Sequence, residues 1–535
     1  MLALLLAVSA LSGCAANGTA DSGAGTDATG MEDGVTAIQL SDSGVTVDGA
    51  AVSNDETAAV YAANDIVFYL AGQDFTYGEG TASDEHSQEE ADAHTVIHIT
   101  QPGTYSVSGT LSAGQIAVDL GEDAENDPEA VVTLILKGMD ITCTVAPAVI
   151  FYNVYECGSA DEETATKDVD TSAAGANVII ADGTTNSITG SYVARIYKPE
   201  SVELSEDGTK VENAKKLHKY DGAFYSKMSM NVDGGEQGTG VLNIDAENEG
   251  LDSDLHLTIN GGNINIWAGN DGINTSEDYV SVATVNGGTL NIQVTGETGE
   301  GDGIDSNGWL VINGGTIISA ACSTSGDAGI DAEMGIYLNG GTIATSGNML
   351  DRIADGEQNY AVFSFAERQA GGTAYTLKDA EGQTAGEWTP ANDYTYLVVS
   401  GPELTAGTYT LWQGETQMTC STASNDTGGR GMGREMPMGD MMPPDGQEPP
   451  KDFERPDGME RPEGESGQRP QHNGDGTVVL PDGTAVDPSQ MTPPEGKDRF
   501  GKLTGGWQDS GDERTTEFVI GDGGSYFTRI AGADI

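Results

Sequence analysis

The stretch Trp309-Leu310-Val311-Ile312-Asn313-Gly314-Gly315-Thr316-Ile317-Ile318 decides how this chain is read. A short apolar run meets an Asn-Gly-Gly turn, and a second apolar run leaves it. The same turn recurs as Asn260-Gly261-Gly262-Asn263, Asn286-Gly287-Gly288-Thr289 and Asn339-Gly340-Gly341-Thr342, so that successive copies lie 26, 27 and 26 residues apart. A second element alternates with it: Gly250-Leu251-Asp252, Gly272-Ile273-Asn274, Gly303-Ile304-Asp305 and Gly329-Ile330-Asp331, at spacings of 22, 31 and 26. Between the two lie short alternating runs such as Leu255-His256-Leu257-Thr258-Ile259 and Leu290-Asn291-Ile292. A near-fixed period of this length marks a repeat architecture.

One such repeat cannot bury its apolar face alone, whereas stacked repeats can. Each strand then pairs in parallel with its counterpart one coil on, and the inward Leu, Ile and Val residues form a continuous core. A leucine-rich horseshoe has a comparable period, but its Leu-rich consensus and helical half are missing here. The expected fold is therefore all-β, a parallel β-helix over residues 35–346. Residues 347–417, with strands at Thr373–Leu377 and Tyr394–Ser400, are expected to form a β cap. Composition then turns rich in Gly, Pro, Met and Glu, which reads as a low-complexity disordered loop over residues 418–512. Alternation returns within residues 513–535, which hold too few apolar residues to fold alone. They are expected to pair with the cap around Tyr409-Thr410-Leu411-Trp412, since loop closure costs grow only with the logarithm of loop length.

The first 13 residues are almost wholly apolar and run into Leu11-Ser12-Gly13-Cys14, the pattern of a bacterial lipoprotein signal peptide cleaved before Cys14. Residues 15–34 read as a flexible polar tether. The expected location is the outer face of a bacterial cell membrane, with lipid on Cys14 as the membrane contact. With 85 acidic and 23 basic residues the net charge is −62, which repels nucleic acid and anionic lipid surfaces. The 75 glycines suit short strands and tight turns. Cys143, Cys157, Cys322 and Cys420 are too few and too unevenly spaced for a disulfide framework or a zinc site. A monomer is expected.

Successive coils of a parallel stack lie about 4.8 Å apart. Asp252, Asn274, Asp305 and Asp331 are thus expected to line one edge, with Asp254, Asp271, Asp302 and Asp327 close by. Carboxylates so close need either raised pKa values or a cation among them. From Met228 to Asp351 there is no Lys or Arg to serve. A hard divalent cation with oxygen ligands, expected to be calcium, fits that set of donors.

Further motifs are Gln101-Pro102-Gly103-Thr104-Tyr105-Ser106-Val107-Ser108-Gly109-Thr110-Leu111, Asp221-Gly222-Ala223-Phe224-Tyr225-Ser226-Lys227 and Ala406-Gly407-Thr408-Tyr409-Thr410-Leu411. With the two repeated elements, they make the chain resemble the bacterial carbohydrate-binding β-helix family, typified by a clostridial cell-surface protein that binds cellulose and polygalacturonate. The resemblance runs from Val35 to Leu411 and resumes near the C-terminus. It implies a right-handed parallel β-helix shaped like pectate lyases, with bound calcium, that binds polysaccharide without catalysis. Two departures stand out: Asn274 replaces an Asp, and an acidic insertion runs from Gly78 to Asp92.

The expected function is calcium-dependent, non-catalytic binding of plant-type polysaccharide (polygalacturonate or pectin, and cellulose), with Trp309 and Trp267 stacking on sugar rings. Calcium held at half-satisfied sites would offset the repulsion between an acidic protein and a polyuronate. The alternatives are enzymes. A pectate-lyase-like polysaccharide lyase needs a Lys or Arg base, and Lys227, Arg352 and the Arg195–Lys219 region lie outside the repeat core. A glycoside hydrolase would use an Asp pair such as Asp302 and Asp305, but acidic pairs are too frequent here to carry information.

Overall fold

The computed structural model describes residues 34–354, 356–422, 471–472, 478–479, 485–486 and 513–533. The expected signal peptide, Cys14 and the tether up to residue 33 lie outside them. Among the described residues the protein is nearly all β. Its one α-helix, Gln88–Asp92, lies in the acidic insertion and is held by a reciprocal cap, with Ser87 Oγ accepting from Glu90 N–H and Glu90 Oε2 accepting from Ser87 N–H. The chain forms two compact units, Met1–Asn265 and Ile266–Ile535, a division that falls within the span 35–346.

In the first unit three ladders are built from parallel pairs. One runs Val35–Leu40, Gly103–Leu111, Val132–Cys143, Ala176–Ile180, Met230–Gly234 and His256–Ile259. A second joins the far half of Val132–Cys143 to Thr185–Gly190 and Val241–Ala246. The third runs Thr95–Ile99, Gly114–Asp119, Val149–Asn153, Gly222–Ser226 and Glu249–Ser253, with Val60–Ala63 antiparallel at its start. Alternation explains the burial: in Ala176–Ile180 the residues Ala176, Val178 and Ile180 are fully buried while Asn177 and Ile179 are not.

Loops 64–86 and 191–221 pack together beside this third ladder. Glu79 N–H donates to Arg195 O at 2.8 Å, Tyr197 N–H to Tyr77 O at 2.8 Å, Tyr192 bonds Asp84, and Lys216 pairs with Glu79. The second loop reaches the ladder through Tyr220, whose ring lies 5.3 Å from that of Tyr225 and 5.5 Å from that of Tyr152.

The second unit repeats the scheme. Val282–Val285, Trp309–Ile312 and Gly335–Leu338 pair in parallel, as do Thr289–Val294, Thr316–Ala320 and Thr342–Gly347. The Asn-Gly-Gly turns at residues 286, 313 and 339 stack through their amides: Asn313 Nδ2 donates to Asn286 Oδ1, and Asn339 Nδ2 to Asn313 Oδ1, each at 2.9 Å. The second glycine of these turns has φ of +85°, +87° and +89°, and Gly262 in the first unit has +95°. A left-handed residue is needed at that corner, and glycine adopts it without a Cβ penalty.

Pairing switches to antiparallel where Thr342–Gly347 meets Tyr394–Ser400, which in turn pairs with Tyr360–Gln369. These strands open a cap whose core holds Phe363, Phe365, Tyr375, Leu411, Met418, Cys420, Phe518 and Phe527. Strand Thr416–Ser421 carries the chain past residue 418, where low complexity begins in the sequence, because Met418 and Cys420 point into that core. Residues 471–472, 478–479 and 485–486 pair as short antiparallel strands. Phe518–Ile520 lies antiparallel on Gly407–Gln413, and Gly524–Gly532 pairs with Tyr360–Gln369 and Thr416–Ser421.

Cys420 is paired with Thr515 and Ser421 with Arg514, so the chain departs for residues 423–512 and returns on neighbouring strands. Replacing residues 423–512 by a turn of a few residues is expected to keep the cap and stabilise it by about 2 kcal/mol, since each halving of loop length returns about 0.6 kcal/mol. The denaturant midpoint should rise. Loss of the cooperative transition would show that the excised span supports the cap.

Candidate functional site

Among the described residues two groups of carboxylates stand out, one in each unit. In the second unit, Asp302, Asp305 and Asp331 each offer a carboxylate oxygen, all within 4.8 Å of one another. Local sequence places them. In Gly303-Ile304-Asp305 and Gly329-Ile330-Asp331 the isoleucines are buried and the aspartates emerge on the opposite side. Gly303 must be glycine, because a Cβ there would sit 1.7 Å from Ser319 Oγ and 2.4 Å from Gly329 O.

Burial, then the neighbouring acids, pushes these groups up. Asp305 rises to about 7 through burial and Asp271, Asp331 to about 8 through burial, Asp351 and Asp305, and Asp271 to about 7 through burial, against the Asp302 N–H it accepts at 2.6 Å. Asp302 lies well above the usual range through burial and through Asp271, Asp331 and Asp305. Asn274 is the register partner of Asp305, and its buried Oδ1 has no hydrogen-bond partner among the described residues. Asp327 turns instead to Gly301 N–H at 2.6 Å and to the Ser325 hydroxyl. Asp351, which the repeat reading did not include, accepts from Ala332 N–H at 3.2 Å and bonds Asp331.

Asp252 and Asp254, expected on the same row, lie in the first unit, where Asp252 belongs to the other group of carboxylates. There Asp221, Glu249 and Asp252 bring one oxygen each within 4.8 Å of one another. Arg195, arriving from the 191–221 loop, pairs with Asp221 and acts on Glu249 and Asp252. Asp252 is fully buried and pushed well above the usual range by burial, then by Asp221 and Asp254, against Arg195; its Oδ1 has no hydrogen-bond partner among the described residues. Asp254 rises to about 6 through burial, against Lys219 and a bond from Tyr225. His218 stacks on Tyr220 with centroids 4.4 Å apart, and burial and then Arg195 push it down to about 4.

The sequence reading did not include Asp221 and Glu249 among the site residues, and it considered Arg195 only within a region that could supply a lyase base, not as a partner of these carboxylates. A signal for the first two exists: an acidic residue precedes glycine in Asp221-Gly222, Glu249-Gly250, Asp271-Gly272 and Asp302-Gly303. Arg195 had none, since it reaches the ladder from a loop outside the repeat. The two tryptophans are placed separately. Trp267 is 42% exposed on strand Asn263–Ala268. Trp309 opens strand Trp309–Ile312, partly buried, with its backbone N–H donating to Ser281 O at 2.9 Å.

A family model described as carbohydrate-binding domain-containing protein matches residues 93–381, more than half of the 535 residues. The chain belongs to that family. A curated relative of the same description from Acetivibrio thermocellus is 26% identical over 173 residues, which are 32% of this chain and 45% of the relative. This family member therefore spans less than half the length of that relative. A solved structure described as a polysaccharide lyase-like protein from C. thermocellum, a gadolinium derivative, aligns at 19% identity over 60% of this chain and 91% of that one, with a TM-score of 0.31.

Proposed function

We propose that this protein is a calcium-dependent, non-catalytic binder of plant-type polysaccharide, polygalacturonate or pectin among them, tethered to a bacterial cell surface through a lipid on Cys14. In this reading the stacked parallel ladders are the faces of a right-handed parallel β-helix, and the protein acts as a monomer. The observation that carries the calcium reading is the group Asp302, Asp305 and Asp331 beside Asn274, whose buried amide oxygen is unsatisfied. The donors fit the ion: carboxylate and amide oxygens are what a hard cation takes, and a cation among them would offset the burial and the acidic neighbours that push the three carboxyls up. When bound, the ion would supply positive charge that a uronate carboxylate can share.

The chain's own residues do the rest. Gly303 and Gly329 bring neighbouring coils close enough for Asp305 and Asp331 to converge. The exposed Trp267 offers a ring face to a sugar.

Arg195 beside three carboxylates favours a lyase as the second reading. Its guanidinium is held protonated by Asp221, which opposes the base role a lyase requires. Incubation with polygalacturonate, with calcium or with chelator, separates the readings. Calcium-dependent retention with flat absorbance in the unsaturated-uronate band is expected. Growing absorbance would establish a lyase, and no retention with calcium would overturn the binding reading for this glycan.

A further inference from the structure

The third ladder of the first unit also carries a line of side chains that neither acidic group uses. Tyr61 and His98 are register partners on Val60–Ala63 and Thr95–Ile99, and their rings stack with centroids 4.4 Å apart at 9°. His98 Nε2 lies 2.8 Å from the Asp65 carboxylate. Farther along the ladder Asp119 and Asn153 are register partners, with Asn153 Nδ2 donating to Asp119 Oδ1 at 2.9 Å. Lys227 Nζ then donates to Asn153 Oδ1 at 3.2 Å. All six side chains are partly or fully exposed.

From Val60–Ala63 to Gly222–Ser226 there are four strand steps, about 19 Å at about 4.8 Å each, enough for a run of several sugar rings. The line mixes stacked rings, which suit the C–H faces of a pyranose, with carboxylate and amide groups, which bond its hydroxyls. Two features decide which sugar. Asp65 and Asp119 accept hydroxyl hydrogen bonds but repel a uronate, and the protein's net charge of −62 adds to that repulsion. Lys227 alone does not reverse it, and its nearest recorded partner is an amide oxygen rather than an open position.

We propose that Tyr61, His98, Asp65, Asp119, Asn153 and Lys227 form a subsite for an uncharged hexopyranosyl chain, independent of calcium. This rests on the carbohydrate-binding reading and assigns this face to neutral glycan. The test is affinity electrophoresis of the full chain in soluble mixed-linkage β-glucan and pull-down on amorphous cellulose, with EGTA or calcium, beside polygalacturonate. The wild type should bind the neutral glucans equally with EGTA and with calcium. Tyr61→Ala and Lys227→Ala, each checked for an unchanged melting transition, should weaken that binding, Tyr61→Ala by about tenfold. Neutral-glucan binding that needs calcium, or that survives both substitutions, overturns the subsite. A wild type that binds polygalacturonate but no neutral glucan also overturns it while leaving the calcium reading standing. Failure to bind any of the three would instead remove the reading beneath it.

Discussion

Adding calcium to chelator-treated protein is expected to raise its melting temperature by about 5–10 °C at pH 8, and by much less at pH 5. Calcium at about a hundred times its dissociation constant stabilises by about 2.7 kcal/mol if it binds only the folded state. For a unit of this size each kcal/mol is worth roughly 2–4 °C. The pH dependence follows from the carboxyls themselves. Asp271 and Asp305 titrate at about 7 and Asp331 at about 8 when folded, against an ordinary value of 3.8. Between pH 4 and pH 8 the folded state therefore holds more protons than the unfolded one, and without a cation stability falls as pH rises through that window. One carboxyl held at about 7 costs about 4 kcal/mol at neutral pH. At pH 5 protons already neutralise the group and calcium must displace them, whereas at pH 8 the charges are present and the ion relieves them. Calorimetry at both pH values reads this directly. Asp305→Ala with Asp331→Ala should abolish most of the shift, and identical melting with calcium and with chelator at pH 8 would remove the calcium reading.

The repeat was legible because its signals are local. An Asn-Gly-Gly turn needs a left-handed residue at a fixed corner, and the amides of Asn286, Asn313 and Asn339 then bond one repeat to the next. The same period brought Asp305 and Asp331 together and set Asn274 beside Asp305, since register turns a spacing in sequence into a distance in space. Chemistry supplied from outside the period was not legible. Arg195 comes from a loop that leaves the second ladder after Gly190 and joins the third at Gly222, and nothing in its neighbours announces a buried ion pair. The absence of Lys and Arg from Met228 to Asp351 speaks only for that stretch, and the cation that acts on Asp252 lies 57 positions upstream of it.

Arg195→Met is expected to destabilise the protein by about 3–5 kcal/mol at pH 8, the usual cost of removing one partner from a buried charge pair. Asp221 loses its ion-pair partner, and Asp252 loses a positive charge that opposes its burial and its acidic neighbours. Methionine keeps much of the side-chain length, so the loss reports charge more than volume. The deficit should shrink as pH falls toward 5, because Asp252, left without Arg195, can then take up the proton that its burial already favours. Denaturant melts at the two pH values test this, and an equal deficit at both would mean that Arg195 acts by packing alone. The variant also joins the two units' chemistry. Asp221, Glu249 and Asp252 present the same three-oxygen arrangement as Asp302, Asp305 and Asp331, but with a guanidinium supplied by the chain. Once that guanidinium is gone, calcium at pH 8 should recover part of the lost stability, beyond any effect it has on the wild type. If it does, the first unit is an acidic corner whose counter-ion is built in, and the second is one whose counter-ion must come from solution.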